Sequence, residues 1–119
     1  MIYHDNKYIS LGSGDVCVGG TWNAITFQNI RPPQECGAAL SRDQEGLEFL
    51  GDIVSFEFNN IKDLNEFGSK FRQIREKQTD CIEYKGWKLY FLPNSDASVE
   101  VVRNHFELLV YRTLNSMAC

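Results

Sequence analysis

The chain changes its hydrophobic period at Asn60. Before that point, in DIVSFEFNN, Val54, Phe56 and Phe58 alternate with Ile53, Ser55 and Glu57, the two-residue period of a strand with one strongly apolar face. After it, in NIKDLNEFGSKFRQIREKQ, Ile61, Leu64, Phe67, Phe71 and Ile74 recur at helical spacing with charged residues between them. Asn60 is suited to cap that helix, and Asp63 to lie at the positive end of its dipole. Gly68 costs about 1 kcal/mol relative to Ala inside a helix, so it is expected to mark a close contact. A strand that gives way directly to an amphipathic helix points to a mixed fold.

The flanking segments agree. In CIEYKGWKLYFLP, a two-residue turn at Lys85-Gly86 sets Tyr84 opposite Trp87, Ile82 opposite Leu89 and Glu83 opposite Lys88, so apolar and charged residues fall on opposite faces. Phe91 shares the apolar face. IYHDNKYI predicts a second hairpin, with Asp5-Asn6 at the turn, Tyr3 facing Tyr8 and Ile2 facing Ile9. VCVGGTWNAITF reads as a strand broken at Gly19-Gly20, and NIRPPQECG as a loop, because Pro32-Pro33 interrupts regular pairing. AALSRDQEGLEFLG is expected to be a loop with a short helix. The last segment, from Ser95 or Asp96 onward, is a second helix whose apolar residues include Val99, Val102, Phe106, Leu109, Val110, Leu114 and Met117. Val101 and Leu108 widen that stripe, so the helix is expected to be sandwiched between the sheet and another element. The predicted fold is a single α+β domain over residues 1–119: a mostly antiparallel sheet with two main helices packed on one face.

A chain of 119 residues can bury a core without staples. It has no apolar run long enough to span a bilayer, and MIYHDNKYIS lacks the basic start and apolar run of a signal peptide. A cytoplasmic protein is therefore expected, with no membrane partner and with Cys17, Cys36, Cys81 and Cys119 as free thiols. The wide cysteine spacing, with no C-x-x-C and no histidine at ligand spacing, argues against a zinc site.

No catalytic or cofactor motif emerges. GSGDVCVGG has the glycines of a phosphate loop but lacks the Gly-Lys-Ser/Thr ending and does not lead into a helix. The cationic run from Lys70 to Lys77 is interrupted by Glu76 and reads as a solvated helix face. His4 and His105 are the only histidines, and each reads as a surface or capping residue. The chain is therefore expected not to be an enzyme and to hold neither cofactor nor metal. An alternative from a different class is a small-molecule-binding or enzymatic domain, with a pocket between helix and sheet near Cys36 and His105. A third is a structural subunit of a homo-oligomer.

The charge distribution supplies the functional lead. The net charge of −4 argues against direct nucleic-acid binding. Residues 1–60 carry eight acids and three bases, a net of −5, whereas residues 61–119 carry eight acids and nine bases, a net of +1. The stretch SRDQEGLEFLGDIVSFEFNN holds Asp43, Glu45, Glu48, Asp52 and Glu57, with Arg42 its one cation. These acids either solubilise a loop and a strand edge or form a recognition surface that steers a basic partner. Leu47, Phe49 and Leu50 lie among them as candidate apolar anchors of an interface, with Phe49 the one assigned to the partner-binding site.

In its general character, and in the stretch SRDQEGLEFLGD, the chain resembles bacterial toxin-immunity proteins of the contact-dependent growth inhibition and colicin systems. The resemblance implies an inhibitor that binds one cognate protein toxin, often a nuclease, inside the producing cell. That group shares no single motif, so the resemblance assigns no residue a role. The basic run Lys70–Arg75 departs from the expectation, since it would not face a basic toxin.

Overall fold

The computed structural model of the chain describes residues 1–34, 40–77, 81–91 and 96–118, and their side chains except at 71, 73–77, 91, 96–103 and 118. The described elements are, in chain order, β1 (Ile2–Tyr3), β2 (Tyr8–Leu11), β3 (Val16–Gly20), β4 (Ala24–Arg31), β5 (Glu48–Glu57), α1 (Ile61–Lys77), β6 (Cys81–Tyr84), β7 (Trp87–Phe91) and α2 (Asp96–Ala118). The fold is α+β, as the period change at Asn60 predicts, but the strands divide into two sheets. One is four-stranded, in the order β1-β2-β7-β6, and the other three-stranded, in the order β3-β4-β5. All pairings are antiparallel except β2 with β7, which run parallel with Tyr8 beside Lys88 and Leu11 beside Phe91.

Both predicted hairpins form in the predicted register. Ile2 faces Ile9 and Tyr3 faces Tyr8. Tyr84 faces Trp87, Glu83 faces Lys88 and Ile82 faces Leu89. Lys85 and Gly86 both adopt positive φ, at 50° and 82°, the backbone of a two-residue turn whose twist matches the strands it joins. In the first hairpin the left-handed residue is Lys7, at φ 50°, after the Asp5-Asn6 pair rather than within it. Ile82, Tyr84 and Leu89 are buried and Trp87 half-buried; the side chain of Phe91 lies outside the described residues.

Three local expectations are corrected. Residues 16–31 are a hairpin rather than one broken strand: the chain reverses at Thr21–Asn23, where the Thr21 amide donates to the Ala24 carbonyl at 2.9 Å. Asn29, Ile30 and Arg31 extend β4, which stops where Pro32 withdraws a donor. No helix forms within residues 40–51; two turns run from Ser41 to Leu47, and Glu48 begins a ten-residue strand. The helix stripe there lost to cross-strand pairing with β4, which spans Glu48 opposite Arg31 to Glu57 opposite Ala24.

One core joins both sheets and both helices. Ile2, Ile9 and Leu89 of the four-stranded sheet, Phe27, Val54 and Phe56 of the three-stranded sheet, and Leu64, Phe67 and Phe106 of the helices belong to one buried cluster. Asn29 ties the sheets together by mimicking a strand: its Oδ1 accepts from the Ile2 amide at 2.7 Å and its Nδ2 donates to the Ile2 carbonyl at 3.5 Å. The Asp63 amide donates to Asn60 Oδ1 at 2.9 Å, the expected cap. Gly68 is a close-approach site: a Cβ there would lie 3.1 Å from Val110 Cγ1 on α2. The α1 stripe is buried at Leu64 and Phe67 and exposed at Ile61, while Phe71 and Ile74 lie outside the described side chains. On α2, Phe106 and Leu109 are buried, but Leu108 and Tyr111 face solvent, so the helix is not sandwiched at that level. Among the described residues no helix is long and apolar enough to cross a membrane.

Candidate functional site

The acidic stretch forms the approach to β5 and much of β5 itself. The Gln44 amide donates to the Ser41 carbonyl and the Leu47 amide to the Gln44 carbonyl, closing two consecutive turns. Asp43 sits in the first and Glu45 in the second, and Gly46, at φ 79°, supplies the left-handed residue that returns the chain to β5. Glu48 begins the strand. Beyond Leu50 the ladder slips: Asn29 pairs with Leu50 and Phe27 with Val54, so Gln28 alone faces Gly51, Asp52 and Ile53. This bulge is held by Gln28 Nε2, which donates to the Gly51 carbonyl at 3.1 Å, and by Gly51 itself at φ 70°. It turns Asp52 and Ile53 to solvent.

All five acids are exposed, but they are not one patch. Glu48 is paired with Arg31 across the β4–β5 register, with Arg31 Nη2 and Nε at 2.8 and 2.9 Å from Glu48 Oε2. That exposed bridge contributes little stability, but it cancels one of the charges. Glu57 lies at the far end of the strand, roughly 30 Å from Glu48 for ten extended residues, and its carbonyl accepts from Lys85 Nζ at 2.9 Å. At physiological salt the screening length is about 8 Å, so Glu57 is screened from Glu48 and from the turns before it. Of the five acids Glu48 alone makes an ion pair among the described residues, and Asp43, Glu45 and Asp52 are unpaired along the turns and the first half of β5.

Phe49 is partly covered by its neighbours. It is half-buried opposite Ile30, and the Arg42 guanidinium lies 4.7 Å from its ring centroid. Arg42 Nη2 also donates to Gln28 Oε1 at 3.1 Å. The sole cation of the stretch therefore covers Phe49 rather than pairing with an acid. Ile53, 48% exposed beside Asp52, is the apolar side chain the edge presents. Its strand alternation assigns it correctly to the outward face, but the bulge that isolates it depends on β4 and leaves no local pattern.

A cavity also lies beside His105. It has a volume of about 740 Å³ and lies between β3 and α2. His105 lines it, and its Nε2 stands 3.4 Å from the Val18 carbonyl. A carbonyl only accepts, so Nε2 carries the hydrogen there. Cys36 lies outside the described residues; among the described ones Cys17 lines the cavity, and burial pushes its thiol up, against a smaller opposing pull from Arg42. The Gly19-Gly20 pair is the one sequence signal of this site. A Cβ on Gly20 would meet the Ala24 carbonyl oxygen at 3.3 Å and Leu109 Cδ2 at 3.7 Å, so glycine there lets α2 lie close to β3. Arg112, Thr113 and Ser116 join the cavity from a helix about ninety residues away and have no such signal. Cys17 and Cys81 are free thiols, and Cys119, like Cys36, lies outside the described residues. Among the described residues no three His, Cys, Asp or Glu side chains converge as a metal site would need.

Comparison of the chain with protein-family models, with curated proteins and with solved structures finds no match.

Proposed function

We propose that this is a non-enzymatic binding protein of the toxin-immunity type. It works in the cytoplasm of the producing cell and docks the turns at Asp43 and Glu45 and the β5 bulge against the basic cleft of a cognate toxin, with nucleases the leading class. The observation that carries the reading is the state of three carboxylates. Asp43, Glu45 and Asp52 are exposed and make no ion pair among the described residues, the first two in the turns that lead into an edge strand and the third at its middle. Unpaired carboxylates take the place of the phosphates that a nuclease cleft attracts, and Ile53 adds an apolar contact beside them.

The test pairs this protein with the product of an adjacent toxin gene. The two should co-purify, and the wild-type protein should block the toxin's activity in a purified assay. A variant with Asp43→Asn, Glu45→Gln and Asp52→Asn should inhibit only at much higher concentration while keeping its fold. If the triple variant inhibits as well as wild type, these acids are a solvated surface.

A further inference from the structure

The described lining of the β3–α2 cavity differs from the rest of the molecule in charge. The chain carries 16 acids, yet no carboxylate lines this cavity among the described residues. Asp15, next to the lining residue Val16, is turned to the Met1 amino group at 2.8 Å. Among the described residues the ionisable lining groups are Arg112, His105 and Cys17. Leu11, Ile30, Phe106 and Leu109 are buried and form an apolar floor. Arg112, Ser116, Thr21 and Trp22 are exposed and form a polar, cationic mouth. Thr113 is 2% exposed at the wall and donates its hydroxyl hydrogen to the Leu109 carbonyl at 2.8 Å, which leaves its oxygen able to accept. Trp22 is 68% exposed at the tip of the β3–β4 turn, an apolar ring held at the entrance. The volume falls within the range of small-molecule sites, and apolar walls with a few polar groups are their usual lining.

We propose that this cavity binds a small carboxylate with an apolar body, its hydrocarbon part against Phe106 and Leu109 and its carboxylate at Arg112. A neutral molecule of the same shape forgoes the charge-assisted contact, and an amine meets a cation at the mouth. This site is independent of the acidic edge and stands or falls separately from it.

Octanoate, octanol and octylamine, titrated below their aggregation limits, test the proposal by tryptophan fluorescence and amide chemical shifts. Octanoate should shift the Val18, Gly20, Leu109 and Thr113 amides saturably and change the emission, and Trp22→Phe should remove the emission change. Octanol should bind about tenfold more weakly and octylamine more weakly still. Arg112→Gln, an exposed change that should leave the thermal midpoint in place, should lower octanoate affinity to that of octanol and leave octanol unaffected. Ser116→Trp, which fills the mouth from the exposed rim, should abolish both. Equal affinity for octanoate and octanol in the wild-type protein would overturn the anion preference. Shifts that do not saturate, or that scatter over the surface, would overturn the site.

Discussion

Replacing Gly68 with Ala sets two known effects against each other at one position. Ala in a helix interior is worth about 1 kcal/mol over Gly. The added Cβ, however, would lie 3.1 Å from Val110 Cγ1 and 3.7 Å from Cγ2, well inside the carbon–carbon optimum of about 3.5–4.0 Å for the closer atom. Val110 cannot turn away easily, because a β-branched side chain in a helix has essentially one χ1 well. Either α2 shifts by a few tenths of an ångström or the contact stays compressed, and overpacking of this kind costs about 1–3 kcal/mol. The balance runs from neutral to about 2 kcal/mol of destabilisation, and we expect about 1 kcal/mol, or roughly 4 °C in thermal midpoint. The Val110→Ala background removes the obstacle, so there Gly68→Ala should stabilise by about 1 kcal/mol. Equilibrium denaturation of the four proteins gives a coupling energy, expected near 2 kcal/mol. If Gly68→Ala stabilises the wild-type protein as much as it stabilises Val110→Ala, the close approach of the helices is wrong.

Further outcomes are equally specific. Gly86→Val should destabilise by about 1 kcal/mol or more through backbone strain alone, since Gly86 sits at φ 82° with nothing within 4 Å of its Cβ direction; a neutral result in urea denaturation would contradict the turn geometry. Native protein should alkylate slowly at Cys17 at neutral pH, because burial raises its thiol pKa, and faster as pH rises; mass spectrometry of timed samples reads this, and labelling at the rate of a free thiol would refute it. Burial, with Asp63 and Glu66 nearby, also pushes the Tyr84 phenol up. A raised folded value means stability that is whole below the ordinary tyrosine value of about 10 and falls above it, as the unfolded chain ionises first. Tyr84→Phe should therefore flatten the loss of stability above pH 10 in denaturation curves, and an unchanged slope would count against the buried phenol.

What the sequence makes legible here is what is local. Tyr84 and Trp87 find each other across a two-residue turn, and Val54, Phe56 and Phe58 declare their face by alternation, so both could be read without a structure. Asn60 caps its helix through a contact three residues away. The partition into two sheets could not be read, because it rests on β2 lying parallel to β7, a pairing of residues about eighty positions apart whose intervening chain carries β3, β4, β5, α1 and β6. The acidic surface was legible as composition and not as geometry. Whether Glu48 is free depends on Arg31 across a ladder, and whether Asp52 projects depends on Gln28 and the bulge it holds. The cover on Phe49 was illegible for the same reason: Arg42, read as a lone cation among acids, lies over its ring.

The central claim is that Asp43, Glu45 and Asp52 steer a basic partner while Ile53 helps hold it. Association and dissociation rates with the cognate toxin, measured at low and at physiological salt, separate the two roles. The account predicts that wild-type association slows steeply with salt. The triple variant Asp43→Asn, Glu45→Gln, Asp52→Asn should associate about tenfold more slowly at low salt with a flattened salt dependence. Glu48→Gln, whose charge Arg31 already cancels, should change the rate much less, and Ile53→Ala should chiefly speed dissociation. A triple variant that associates at the wild-type rate at low salt would contradict the claim.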